Sequence, residues 1–283
     1  MAEKDLATKK IEDYNEVFAD IYNTLLFRNH ILKPSRLRAG ATESIYKTDT
    51  GDLNSQHRDI LKKYQDEANL VISALGIENQ ASLDRTMPIR VMGYDAGTYR
   101  QQLTHREKKI TPVITIVLNM TDEKWNTPKS IHEMLNMDTA LAEYVQNYKI
   151  YVFDIAFLED KIIDAFTSDF REIARFFKRK RLGKNPLTSK NQLDHPREIM
   201  EFISAFTRDG RYLDGAQYLE EMKKEGGAVT MCEVAEALIT EGRQKGRLEG
   251  KIELLCEMNF TVAEIARRLN ISQEQVENIM QQN

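Results

Sequence analysis

Apolar residues recur at Ile11, Tyr14, Val17, Phe18, Ile21, Tyr22 and Leu25, a helical spacing that predicts one amphipathic helix over residues 8 to 31. Pro34 should close it, because the residue before a proline is steered away from helical geometry. Ser44–Lys47 reads as a strand, with Asp49-Thr50-Gly51-Asp52 as the following turn. Next come two runs, Arg58–Lys63 and Leu70–Gln80, joined by the polar stretch Tyr64–Asn69. The second run is apolar as far as Ile77, the pattern of a strand buried on both faces. Pro88 suits the first turn of a helix from Met87 to Arg106. Val113–Leu118 is β-branched and reads as a central strand. Trp125–Pro128 marks a loop, Ile131–Leu141 a short helix, and the alternating segment Tyr148–Phe157 another strand. Ser168 should cap a helix through Phe170, Ile173, Phe176 and Phe177, and Pro196 opens a helix containing Ile199, Phe202, Ile203 and Phe206. From Met231 onward the pattern is helical throughout. Two capping boxes, Thr261 with Glu264 and Ser272 with Gln275, flank a turn at Asn270.

This order of helices and strands predicts an α/β sandwich around a mixed sheet. Three regions are expected: a core over residues 1–185, a helical extension or linker over 186–227, and a helical tail over 228–283 with a helix-turn-helix-like end. Gly226-Gly227 would be the joint before the tail. Within the tail, Gly242, Gly246 and Gly250 recur every fourth residue; each weakens a helix by about 1 kcal/mol relative to alanine. A seam for close approach of another helix would compensate, and a charged connector is the plainer alternative. Self-association through this tail is therefore expected. The last helix carries Glu274 and Glu277 and no cation, so it suits packing better than base reading.

Composition narrows the function only a little. With 283 residues, 41% of them hydrophobic, the chain can bury one large core and carry an appendage. No run of about 18 apolar residues occurs, so no membrane span is expected. The charged first ten residues lack a signal core, and Cys232 and Cys256 are too few for a disulfide framework; a reducing cytoplasm fits both. A net charge of −4 does not mark a polyanion binder, so DNA contact would need local basic patches or bound metal. The dense basic block is Lys178-Arg179-Lys180-Arg181. Cations at a helix C-terminus complement its dipole, but four in a row exceed that need and suit a phosphate backbone.

The candidate chemistry centres on the end of the Leu70–Gln80 run. Glu78, Asn79 and Gln80 close an apolar strand, where unpartnered polar groups are costly. Asp59 lies a hairpin's length upstream. Two adjacent carboxylates repel, and a divalent cation with hard oxygen ligands is their natural third party. The plainer alternatives are a surface acid at Asp59 and an ion pair of Glu78 with Arg90 or Arg100. Arg90 and Tyr94 are four apart and share a helix face, from which Arg90 could clamp a phosphate or a carboxylate.

Asp59 with Glu78-Asn79-Gln80 resembles the metal-binding signature of the PD-(D/E)XK nuclease superfamily, and more narrowly the recombination-promoting nuclease, or transposase-type, family, in which the final lysine is commonly glutamine. The similarity runs on through Arg90, Tyr94, Tyr99–Leu103 and the strand Pro112–Leu118, with an upstream match at Phe18–Asn23, and covers roughly residues 14 to 180. It implies a restriction-endonuclease-like fold and a Mg²⁺- or Mn²⁺-dependent DNA endonuclease linked to recombination or a mobile element. By that resemblance Asp59 and Glu78 hold the metal, Asp20 is a third ligand or water anchor, and Gln80 stands where the superfamily has lysine. Arg58, Arg90, Tyr94 and the residues Lys178, Arg179, Lys180 and Arg181 would face the DNA. The glutamine supplies neither a base nor a charge, which leaves open the alternative of a weakly active or inactive nuclease-fold protein serving as a DNA-binding or scaffolding module.

Overall fold

The computed structural model describes residues 7, 10–40, 43–47, 53–57, 60–65, 71–80, 82–104, 110–213 and 229–282. The chain is mixed α/β: a five-stranded mixed sheet lies between helices, and a helical region follows. In chain order the strands are β1 (Leu37–Ala39), β2 (Glu43–Lys47), β3 (Leu53–His57), β4 (Ile60–Gln65), β5 (Val71–Gln80), β6 (Val113–Asn119) and β7 (Tyr151–Asp154). The large sheet has the order β1-β4-β5-β6-β7, while β2 and β3 form a separate hairpin. β4 pairs antiparallel with β1 and with β5, whereas β5–β6 and β6–β7 are parallel. β5 is thus the strand at which the sheet changes direction.

The helices are α1 (Asn15–Ile21), α2 (Met87–Thr104), α3 (Ile131–Leu135), α4 (Thr139–Ala142), α5 (Asp160–Ala165), α6 (Phe170–Arg181), α7 (Pro196–Thr207), α8 (Met231–Glu257), α9 (Val262–Leu269) and α10 (Gln273–Gln282). Alternation along β5 and β6 sends their side chains to two different layers. Leu75, Ile77, Ile116 and Leu118 join Val17, Phe18, Ile21 and Tyr22 of the first helix and the α6 and α7 phenylalanines in one core. Val117, on the opposite face, packs with Met87 and Val91 of α2 and with Trp125. The Tyr22 hydroxyl, fully buried, lies 2.6 Å from the Gly76 carbonyl and 3.1 Å from that of Ile114. It ties the first helix to both β5 and β6.

Several elements differ from the expected ones. The first helix has a turn at Asp13–Tyr14, runs as α1, and continues as a π-helix over Tyr22–Phe27. It ends at Arg28, which is left-handed at φ 51°, well before Pro34. The reason is Asn23: its amide nitrogen donates to the Leu32 carbonyl at 2.9 Å and its oxygen accepts from the Leu32 amide at 2.8 Å. That pair turns the chain back, and Pro34 opens a short 3₁₀ turn instead. The supposed linker is partly strand. Tyr64 is buried in β4 opposite Ile72, and its hydroxyl donates to the Ile31 carbonyl. The predicted helix over Ile131–Leu141 is two short ones, α3 and α4, because Asn136 turns left-handed after α3. β7 stops at Asp154 and a 3₁₀ turn, Ile155–Phe157, follows.

The extension and the start of the tail share the main core. Val229, Met231 and Val234 belong to the same apolar cluster as Phe202, Ile203 and the sheet. Leu193 donates to the Val229 carbonyl at 2.8 Å, and Cys232 to that of Ser189 at 3.1 Å. Further along, Ile252, Ile265, Ala266 and Val276 form a cluster of their own. Both expected capping boxes are present, and Asn270 is left-handed at φ 55° between α9 and α10. A third box, Thr230 with Glu233, opens α8. Side-chain positions built at Gly242, Gly246 and Gly250 would meet open space, so no other described element occupies that seam. The expected joint at Gly226-Gly227 and the turn at Asp49–Asp52 lie outside the described residues. No helix among the described residues is long and apolar enough to cross a membrane.

Candidate functional site

β5 carries Glu78, Asn79 and Gln80 at its C-terminal end, opposite Val117, Leu118 and Asn119 of parallel β6. Alternation puts Glu78 and Gln80 on the face covered by α2 and Asn79 on the other. Glu78 is 2% exposed. A carboxylate taken that far out of water keeps its charge only beside a partner, and α2 brings Arg90. Its Nη2 lies 3.5 Å from Glu78 Oε2 and donates to the Tyr94 hydroxyl at 3.1 Å. Its Nη1 bonds Asp84 Oδ2 at 2.8 Å. The helical spacing of Arg90 and Tyr94 therefore does converge on Glu78.

Asp84 is a residue that the sequence reading passed over. It accepts from the backbone and hydroxyl of Thr86, at 2.8 and 2.7 Å, just before the Pro88 turn that starts α2. Its position, two before a threonine and four before a proline, was an available signal for such a turn. Burial opposes the charged guanidinium of Arg90, but its hydrogen bonds to Asp84 and Tyr94 outweigh that and hold it above the ordinary arginine value. Burial likewise pushes the Asp84 carboxyl up; the bonds from Arg90 and Thr86 outweigh it and leave the group below its usual range. Arg90 is thus a fixed cation, 39% exposed at its side chain, aimed at one buried carboxylate and braced by another acid.

On the opposite face Asn79 Nδ2 donates to Glu12 Oε2 at 2.9 Å, and Glu12 is fully buried. Glu12 lies one residue after Ile11 of the apolar stripe, and nothing in that pattern distinguishes it from a solvated acid. Lys62, 2% exposed, reaches the backbone and carboxylate of Asp13 and the side chain of Asn15. Gln80 is buried; its Nε2 donates to the Asn79 carbonyl at 3.2 Å, and its own carbonyl accepts from Met120 at 3.0 Å.

Asp20 is held by the turn before α6. Its Oδ2 accepts from the Thr167 amide at 2.9 Å, the Ser168 amide at 2.7 Å and the Ser168 hydroxyl at 2.6 Å. Its Oδ1 accepts from the hydroxyls of Thr24 at 3.3 Å and Thr167 at 3.2 Å. A carboxylate offers about four lone-pair sites, so five donors leave it saturated as it stands. It anchors the turn into α6 to the first helix. Asp59 and Arg58 lie outside the described residues. Ile60, which follows Asp59 in sequence, pairs with Ile77, which precedes Glu78. Among the described residues no three His, Cys, Asp or Glu side chains cluster as a metal site would require.

The basic block is largely spent on the fold. Lys178 reaches the Leu158 carbonyl at 2.9 Å and Asp160 at 2.8 Å, and Arg179 donates to the Asn185 carbonyl at 2.6 Å. Arg181 Nε donates to the Ala156 carbonyl at 2.9 Å, with its guanidinium 4.2 Å from the Phe157 ring centroid. Lys180 has no such tether among the described residues.

Residues 50–179 match a family described as "Putative transposase, YhgA-like". No curated protein and no solved structure matches the chain. The matched span is a little under half of the sequence. It contains Arg58, Asp59, Glu78, Gln80, Arg90, Tyr94, Lys178 and Arg179, and excludes Asp20, Lys180, Arg181 and the helical tail. The match associates this region with proteins of mobile elements.

Proposed function

We propose that the protein is a metal-dependent nuclease of the PD-(D/E)XK type, with a restriction-endonuclease-like core, that hydrolyses phosphodiester bonds in DNA. The observation that carries this reading is the buried carboxylate of Glu78 at the end of β5, faced by an arginine that is itself held by Asp84 and Tyr94. A mixed sheet with helices on both faces, and the match of residues 50–179, are consistent with it.

The donor set suits a hard cation: a carboxylate from Glu78, an amide oxygen from Gln80 on the same face, and the carboxylate of Asp59, whose neighbour Ile60 pairs beside Glu78. Asp59 and Glu78 would hold Mg²⁺ or Mn²⁺, which when bound supplies Lewis acidity against a phosphate oxygen. Arg90 sets a fixed positive charge beside that position, held by Asp84 on Nη1. The Tyr94 hydroxyl holds its Nη2. Gln80 orients water through its amide; it adds no charge and removes no proton. In this reading Asp20 holds the turn before α6 and is not a ligand, because its oxygens are already filled.

The test is nicking of supercoiled plasmid and of a single-stranded oligonucleotide with Mg²⁺ or Mn²⁺, for the full chain and for Glu78→Gln and Asp59→Ala. Loss of several kcal/mol of transition-state stabilisation predicts a fall of about 100-fold or more in each variant. Undiminished cleavage by either variant, at equal folding, would overturn the assignment. Failure of the parent to cleave under any of these conditions would favour the DNA-binding or scaffolding alternative, to which the charge-poor Gln80 already points.

A further inference from the structure

The parallel strands β5, β6 and β7 all run toward one edge of the sheet, the edge at which open α/β sheets hold their ligands. Beyond the ends of β6 and β7 the structure has a small open cleft, with a cavity volume of about 100 Å³. Met120 and Phe177 lie buried behind it, with Phe206 at its side, and Lys180, Arg181, Asp122 and Thr121 give it charged and polar groups. Met120 is also the residue whose amide bonds the Gln80 carbonyl at 3.0 Å, so this cleft is tied to the end of the strand that carries Glu78 and Gln80.

The fold uses only part of Arg181 and none of Lys180. Arg181 is fixed through Nε on the Ala156 carbonyl and by the Phe157 ring, which aims the guanidinium while its two terminal nitrogens keep no partner among the described residues. Lys180 is exposed and has none either. Lys124 adds a third positive charge, its Nζ 5.5 Å from the centroid of the same Phe157 ring. The C-terminus of α6 contributes only about half a negative charge, which four cations in its last turn exceed. The chemistry is that of an anion: a planar guanidinium fork suits phosphate.

We infer that this cleft takes one phosphate group of a nucleotide, held by Lys180 and Arg181. The choice of a nucleotide rests on the phosphodiester reading above. The nucleotide could belong to a strand passing the candidate site or be free, and the two sources share this chemistry.

Binding is measured on the full chain in EDTA, by fluorescence anisotropy of a short labelled oligothymidylate across roughly 50 to 200 mM salt. Lys180→Gln should weaken binding about 5- to 10-fold and lower the salt slope by about 0.7, the value for one single-strand phosphate contact. Asp122→Asn, which removes an exposed like charge from the same cleft, should tighten it about 2- to 5-fold. Neither side chain has a structural partner among the described residues, so both variants should fold. Parental affinity in both variants overturns the proposal. Displacement of the label by thymidine monophosphate assigns a free nucleotide, and resistance to it assigns a strand; the cleft stands in either case. Because the assay contains no metal, a protein that binds in this way but never cleaves would retain the cleft and lose the nuclease reading. A protein that cleaves while both variants bind normally would do the reverse.

Discussion

At the scale of single residues, two acids make separate predictions: Asp20, first taken as a ligand, and Asp84, which the sequence reading passed over. Asp20 saturates both oxygens on Thr24, Thr167 and Ser168, so Asp20→Ala should strand two backbone amides and lower stability by about 2–4 kcal/mol. Urea unfolding measures this, and a metal ligand would instead be nearly silent in stability while weakening metal affinity. Asp84 makes a prediction about acid. Its folded value is depressed, chiefly through the bonds from Arg90 and Thr86 working against burial. It therefore contributes stability above the unfolded carboxylate value, about pH 3.9, and that contribution is lost as pH falls through the lower folded value. The gap in stability between the parent and Asp84→Asn should be largest near pH 6 and close toward pH 3; a gap that stays constant would show that the bond to Arg90 carries no charge. Glu78, Arg90 and Tyr94 were legible beforehand because strand periodicity and helix spacing are local. Glu12 and Asp84 were not, since a buried acid looks like a solvated one until a distant element covers it.

At the scale of elements, apolar pattern located β4, β5, β6, α6 and α7 well, because each has a run or stripe that only one geometry can bury. It failed where a side chain outside the local pattern decided the outcome. Asn23 ends the first helix by pairing with Leu32, and Tyr64 is strand because β1 and β5 flank it. The same blindness affects the tail. Its first residues belong to the sheet's core and only its later helices have a core of their own. Deleting residues 229–283 removes Val229, Met231 and Val234, each worth about 1.5–3 kcal/mol when fully buried. That deletion should lower the melting temperature by roughly 10–20 °C. Deleting residues 244–283 should leave it within about 3 °C. Thermal melts of the two truncations check this, and equal behaviour would show that the segment after residue 229 packs independently.

At the scale of the whole molecule, the sheet's change of direction at β5 organises everything else. It places the hairpin partner β4 on one side of Glu78 and the parallel strands β6 and β7 on the other. It also leaves the core dependent on segments far apart in the chain, since Ile11 and Val234 sit in one apolar cluster. During synthesis the ribosome releases the first helix long before the segment that finishes covering it. At roughly 5–20 residues per second the interval is on the order of 10–40 s. Throughout that interval Val17, Phe18, Ile21 and Tyr22 belong to a nascent chain whose core cannot close, and they make the first helix a ready landing place for chaperones.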